Sequence, residues 1–270
     1  MPHLANARMY SVNPGAKAAW SDLFGWLSRT SGVPLRVIDH AFPAPLSELW
    51  ARPDLACAFM CGMPFMLARE KPVAIAAPVP SDGPMPGRPL YATRLVVAAD
   101  RPFAVLEHTF GGRLGYTVPD SQSGYNALRH HLLAYRTPER PTLFRNSVGP
   151  LTTPRRVIEA LLSDTIDVGP LDSYALDLML RHEPALGERI RVVASTLPAP
   201  IPFLVASPHC PAEAVSALRQ ALLSFGDAVG CAVLRERLKL AGFASVRIAD
   251  YDLILDRDAQ ARAAGYLHPA

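Results

Sequence analysis

The sequence predicts an α/β fold in two lobes, each a mostly parallel sheet flanked by helices and joined by two hinge crossovers. Three observations carry this. Short apolar, β-branched runs alternate with helical periodicity through the first ninety residues; this is the β-α-β rhythm of a parallel sheet. The rhythm breaks in a Pro/Gly-rich stretch, Pro78 to Pro89, and then restarts. At 270 residues, half of them hydrophobic and 19% charged, the chain can bury a substantial core in one large domain or two ordinary ones.

Taken in order, Arg8 to Val12 reads as the first strand. Asn13-Pro14-Gly15 opens a helix with Ala18, Ala19, Leu23, Trp26 and Leu27 on one face, closed by Gly32. Leu35 to Ile38, Leu55 to Cys61 and Val73 to Ala77 read as strands, with a short helix over Pro45 to Trp50. Leu90 to Ala98 is long enough to leave one sheet and enter another. Leu114 to Val118 is a strand, and Pro119-Asp120 breaks it. Ser121 and Ser123 are placed to cap a helix, because Tyr125, Leu128, Leu132 and Leu133 recur at helical spacing. Leu143 to Val148 is a strand. A helix follows over Pro154 to Leu162, capped by Thr153 with proline at the favoured first position. Ile166 to Gly169 and Ile190 to Ser195 read as strands around a helix from Ser173 to Leu180. After Pro198 to Pro202 come a strand, Phe203 to Ala206, and helices over Ala212 to Phe225 and Val229 to Leu240. The tail from Val246 to Tyr266 gives mixed signals. The domain boundaries predicted are 1–92 with 200–270 for lobe I, and 93–199 for an inserted lobe II.

Composition excludes several classes of function. A net charge of +3 from scattered Lys and Arg makes no basic stripe for nucleic acid. No run reaches the ~18 apolar residues of a membrane span. The N-terminal stretch shows no basic n-region or long apolar h-region; the expectation is a chain that stays inside the cell or one separated from its leader. Four cysteines, with Cys57 and Cys61 in an apolar run and Cys210 and Cys231 apart, read as buried small hydrophobes and not as a disulfide framework or metal set. His130 and His131, adjacent on a helix, point roughly 100° apart and cannot chelate one metal well. His40, beside Asp39, is a candidate at a strand end. No Gly-x-Gly-x-x-Gly, Walker or Gly-x-Ser-x-Gly pattern occurs, so no cofactor, metal or catalytic residue is assigned.

The most informative stretch is Gly115 to Tyr125. A strand that turns through Ser-x-Ser-Gly into a helix leaves backbone N–H groups without intrahelical partners at the positive end of the helix dipole. Two hydroxyls beside them and a glycine that admits close approach suit a small oxyanion. Ordinary serine N-capping explains the same residues.

Four segments then resemble the phosphate/phosphite/phosphonate-binding proteins of ABC transporters, within the type 2 periplasmic-binding-protein fold. They are Tyr91-Ala-Thr-Arg-Leu-Val-Val, Asp120-Ser-Gln-Ser-Gly-Tyr125, Val157 to Gly169 ending in Asp-Val-Gly, and Ile201-Pro-Phe-Leu-Val. The resemblance implies a non-enzymatic solute-binding protein, with a small anionic ligand held in a cleft closed by hinge motion and a transporter permease as partner. It implies that Ser121, Gln122, Ser123, Gly124 and Tyr125 grip the oxyanion, with Tyr91 contacting it from the crossover. Where the phosphonate receptor uses a histidine, this chain has Gly149-Pro150. Asp172 and Ser173 follow a strand end; Asp172 is either a contact for a donor group on the ligand or the N-cap of its own helix. Tyr10, Ser11 and Gly62 follow first-lobe strands and are expected to line the site. Met60, Met63 and Phe65 form either an apolar wall there or sheet-edge core. Two rivals share the scaffold: an enzyme resembling menaquinone-pathway dehydratases or thiamine pyrimidine synthases, and a sensor lobe feeding a regulator.

Overall fold

The computed structural model describes residues 3–270 and contains thirteen strands and nine α-helices among them. In chain order these are β1 (His3–Asn6), α1 (Pro14–Ser31), β2 (Leu35–Val37), α2 (Leu46–Trp50), β3 (Leu55–Met60), α3 (Gly62–Leu67) and β4 (Val73–Pro80). There follow β5 (Leu90–Tyr91), β6 (Thr93–Ala98), β7 (Arg113–Gly115), α4 (Ala127–Leu132), β8 (Asn146–Val148), α5 (Pro154–Leu162), β9 (Gly169–Asp172) and α6 (Ser173–His182). The chain ends with β10 (Ile190–Ser195), β11 (Ala199–Pro200), β12 (Phe203–Ala206), α7 (Ala212–Ser224), α8 (Ala232–Leu238), β13 (Leu240–Ala244) and α9 (Asp252–Ala263). No single helix among the described residues is long and apolar enough to cross a membrane.

The chain divides into two compact units. The first runs up to Leu90 and resumes over Pro200–Ala249; the second is Tyr91–Ala199 with Asp250–Ala270. The first unit holds a six-stranded sheet in the order β13-β4-β12-β3-β1-β2. Parallel pairing of β1 with β2 and β3 builds its doubly wound half, while β12 and β13 enter antiparallel. α1 is set as its sequence requires: the Asn13 side chain accepts from the Ala16 amide, proline stands in the first turn, and Gly32 ends it at φ 71°. The buried aromatic cluster beneath it joins Tyr10, Trp20, Phe24 and Phe59, with Tyr10 and Phe59 edge to face at 4.8 Å. Edge-to-face geometry suits the ring quadrupoles.

In the second unit β6 pairs antiparallel with both β9 and β10, and β7 pairs parallel with β8. A parallel bridge from Leu114 to Val168, with the Gly115 amide donating to the Val168 carbonyl at 2.8 Å, joins β7 to the run into β9. The result is β8-β7-β9-β6-β10 with only β6 reversed. Its core gathers Leu95, Val97, Leu114, Leu128, Leu132, Phe144, Val168 and, from the tail, Tyr266.

Four sequence expectations are corrected. The first strand is His3–Asn6 and not Arg8 to Val12, because Asn6 turns the chain: its Oδ1 accepts from the Arg8 amide at 2.8 Å and its Nδ2 donates to the Ile38 carbonyl. The strand expected at Ile166 to Gly169 lies at Gly169–Asp172. Leu240–Ala244 is a strand on the edge of the first unit's sheet, following a helix stopped by Lys239 at φ 52°. Finally, 250–270 belongs to the second unit and not to lobe I. α9 packs on α4, Asn126 Nδ2 donates to the Ile254 carbonyl at 2.9 Å, Arg129 pairs with Asp258, and the Leu143 amide donates to the Ala270 carbonyl.

Candidate functional site

The Ser121–Tyr125 turn lies at the carboxyl end of β7, and the start of α6 lies at the carboxyl end of β9; ligands of open α/β sheets bind at such ends. The turn is π-helical over Gln122–Asn126. Its first closing bond runs from the Asn126 amide to the Ser121 carbonyl at 3.0 Å, so the amides before it precede the helical ladder. The Ser121 hydroxyl accepts from the Gly124 amide at 2.9 Å and keeps its own proton to donate. Ser123 is half-buried, and among the described residues its hydroxyl has no partner. Gly124 is obligatory: a Cβ there would lie 1.8 Å from Thr117 Oγ1.

Ala92 and Thr93 bind the turn to the neighbouring strand end. The Thr93 hydroxyl donates to the Ser123 carbonyl at 2.9 Å. The Ala92 amide donates to Ser173 Oγ at 3.1 Å, the Ser173 amide returns a bond to the Ala92 carbonyl, and Thr93 stands opposite Asp172 in the β6–β9 ladder. Ser121, Ser123, Gly124, Asp172 and Ser173 are therefore brought together through two residues of one crossover strand. Thr93 was not singled out by sequence reasoning, although it lies two residues past Tyr91 in the first resembling segment.

Several expected contacts take structural roles. Asp172 is the N-cap of α6: its Oδ1 accepts from the Tyr174 and Ala175 amides at 2.9 and 3.0 Å. The Ser173 hydroxyl serves Ala92, as above. The Gln122 side chain is fully buried, and its Oε1 accepts from Asn126 Nδ2 at 2.7 Å. Tyr125 turns to the tail. Its hydroxyl donates to the Leu267 carbonyl at 2.9 Å and so accepts from His268 Nδ1, also at 2.9 Å; burial pushes its pKa up. Tyr91 is buried at the start of this unit. In the first unit Tyr10 is a core aromatic, the Ser11 hydroxyl donates to the Ala7 carbonyl at 2.9 Å, and Gly62 is buried at the start of α3. Met60, Met63 and Phe65 are core, Phe65 edge to face with Phe203.

The remaining candidates are settled locally. Gly149 has no room for any side chain, because a Cβ would meet the Tyr116 ring at 2.7 Å. His40 Nε2 bonds the Pro45 carbonyl, His130 Nε2 bonds Gln260, and burial lowers the pKa of His131. All four cysteines are buried and form no disulfide among the described residues. The donors at the turn are thus neutral hydroxyls and amides, and the nearby guanidinium of Arg129, one helical turn on, is engaged by Asp258.

The comparisons agree on what kind of protein carries this geometry. The model of the family described as ABC transporter, phosphonate, periplasmic substrate-binding protein matches residues 12–251. No curated protein sequence matches the chain. Among solved structures, a binding protein component of an ABC phosphonate transporter from Pseudomonas aeruginosa superposes with a TM-score of 0.80 at 15% identity, over 98% of this chain and 88% of that one. PhnD1 from Prochlorococcus marinus, in complex with methylphosphonate, gives 0.78 at 13% identity over 96% and 98%. A Xanthomonas citri protein bound to ATP gives 0.63 at 18% identity over 98% of both chains. These likenesses show the fold, of the type 2 periplasmic-binding-protein kind, and the match over residues 12–251 shows the family. The chain belongs to the phosphonate ABC transporter substrate-binding proteins, and its role is that of a solute-binding protein.

Proposed function

We propose that the protein binds a small oxyanion-bearing molecule of the phosphonate or phosphate-ester class, seated on the Ser121–Gly124 turn of the second unit and delivered to a transporter permease. The observation that carries this reading is the donor set. The Ser121 and Ser123 hydroxyls and the Ser123 amide are neutral, held by Thr93 and Gly124, and placed at the positive end of the helical segment that continues into α4. Neutral fixed donors bind an anion through charge-assisted hydrogen bonds without a competing ion pair. Asp172 supports the same reading by what it does: its carboxylate is spent on α6 amides, which lowers its repulsion of a dianion.

The ligand of the Prochlorococcus relative, methylphosphonate, is the natural first probe. Titration calorimetry of methylphosphonate, phosphate, sulfate and acetate against the full chain should give measurable heat for the phosphonate or phosphate. Hydrogen bonds to charged groups contribute about 1.5–3 kcal/mol each, so Ser123→Ala alone is expected to weaken that binding by roughly ten- to a hundredfold. Binding to none of the four anions would defeat the reading.

A further inference from the structure

The start of α1, in the first unit, carries two buried N–H donors that nothing among the described residues answers. Asn13 is only 8% exposed. Its Oδ1 accepts from the Ala16 amide at 2.8 Å, which fixes the carboxamide at the helix N-terminus, yet its Nδ2 has no partner. Trp20 is 1% exposed and its indole Nε1 is also without a partner. Seven residues on from Asn13, Trp20 lies on the same face of α1, about 20° round the axis, and long helical side chains lean toward the N-terminus. Tyr10, on the turn that leads into α1, stacks on Trp20 with centroids 6.4 Å apart.

Buried polar groups are almost always hydrogen-bonded, and an unanswered donor is costly. Both orphans are N–H groups, so what satisfies them must be an acceptor. The macrodipole of an 18-residue helix favours that acceptor being negative. Pro14 has no N–H, and the Ala16 and Lys17 amides are already used, by Asn13 Oδ1 and the Asn13 carbonyl. The Gly15 amide remains with the two side chains. Lys17 of the same turn is paired with exposed Asp39. The location is also functional by topology, because this turn follows the carboxyl end of β1 in the parallel half of the sheet.

We propose that the α1 N-terminus is an oxyanion subsite of the first unit, in which Asn13 Nδ2, Trp20 Nε1 and the Gly15 amide receive an oxygen of a phosphonate, phosphate or carboxylate. It rests on the solute-binding reading for its ligand class but on residues that reading does not use. Tyr10 is then a positioning residue that holds the indole.

The test is a nitrogen-15 spectrum of the full chain labelled at tryptophan, titrated with methylphosphonate, phosphate and acetate at millimolar concentration. The Trp20 indole proton should move downfield on binding. The Trp50 indole, already donated to the Phe59 carbonyl at 2.9 Å, should stay and serves as the control. Asn13→Asp keeps the helix cap but replaces the donor with a repelling carboxylate, and should weaken the bound probe by about tenfold or more with an unchanged melting temperature. Trp20→Phe should weaken it while keeping the aromatic packing. A Trp20 indole unmoved by all three probes, or an Asn13→Asp variant that binds as the wild type does, overturns the subsite; an ordered water on these donors would give that result. The two readings fail differently. Loss of affinity in Ser121→Ala/Ser123→Ala beside a still Trp20 indole removes only the subsite. Undiminished affinity in that variant beside a shifted indole removes only the second-unit site.

Discussion

At the residue scale the turn is defined by what will not fit. A methyl group at Gly124 would overlap Thr117 Oγ1 at 1.8 Å and meet its Cβ and Cγ2 at 2.7 Å. Thr117 is β-branched and stiff at χ1, so no flexible end can swing away. Gly124→Ala is therefore expected to destabilise the second unit by about 1–3 kcal/mol, seen as a lowered urea midpoint, and to lose anion binding with it. Asp167 supplies a pH-dependent test. Its Oδ2 accepts from the Arg113 amide at 2.7 Å and from Arg113 Nε at 3.0 Å, and its Oδ1 accepts from Arg113 at 2.9 Å and Arg101 at 3.1 Å. The Arg113 hydrogen bonds hold this carboxyl at about 2, below its ordinary 3.8. A depressed acid stabilises the fold above its unfolded value and loses that contribution as pH falls through the folded one. Stability of the second unit should decline between about pH 4 and 2, and Asp167→Asn should flatten this part of the acid-unfolding profile.

At the element scale, the sequence makes some features legible and hides others for identifiable reasons. α1 and α5 announced themselves, since Asn13-Pro14, Gly32 and Thr153-Pro154 are local cap signals that the structure uses as such. β9 was displaced by three residues because Pro170 lies inside it; a residue without an N–H reads as the end of a strand, yet here it pairs with Leu95 of β6 in the ladder. β13 was hidden by Gly242, which looks like a helix stop but lies in an irregular edge pairing with β4. The turn itself was legible as Ser-x-Ser-Gly, while its support was not. Tyr125, inside the motif, serves a protein partner 143 residues away, and such long-range satisfaction leaves no local pattern; Asp172 serves an amide two residues on, the cap role that was one of the two its position allowed. Asp172→Ala removes the cap from two α6 amides and should cost about 0.5–2 kcal/mol, measurable by chemical denaturation.

At the scale of the whole molecule, the chain passes between its units near 90/91, 199/200 and 249/250. The third passage returns α9 and the terminal residues to the second unit, where Tyr266 joins the core and Arg257 donates to the Leu197 and Pro198 carbonyls. All three tryptophans, Trp20, Trp26 and Trp50, lie in the first unit, so their emission reports that unit alone. Ending the chain at Ala249 should abolish the second unit's cooperative transition in far-ultraviolet circular dichroism and leave the tryptophan transition of the first unit. Coincident loss of both signals would show that the units fold as one.

The most direct measurement is calorimetric titration of methylphosphonate and phosphate into the wild type and Ser121→Ala/Ser123→Ala, with melting temperatures recorded on the same samples. Two charge-assisted bonds lost at about 1.5–3 kcal/mol each correspond to roughly a hundredfold weakening or more, and the account predicts a binding wild type beside a folded variant with no detectable heat. A folded variant that binds either anion as tightly as the wild type would contradict it.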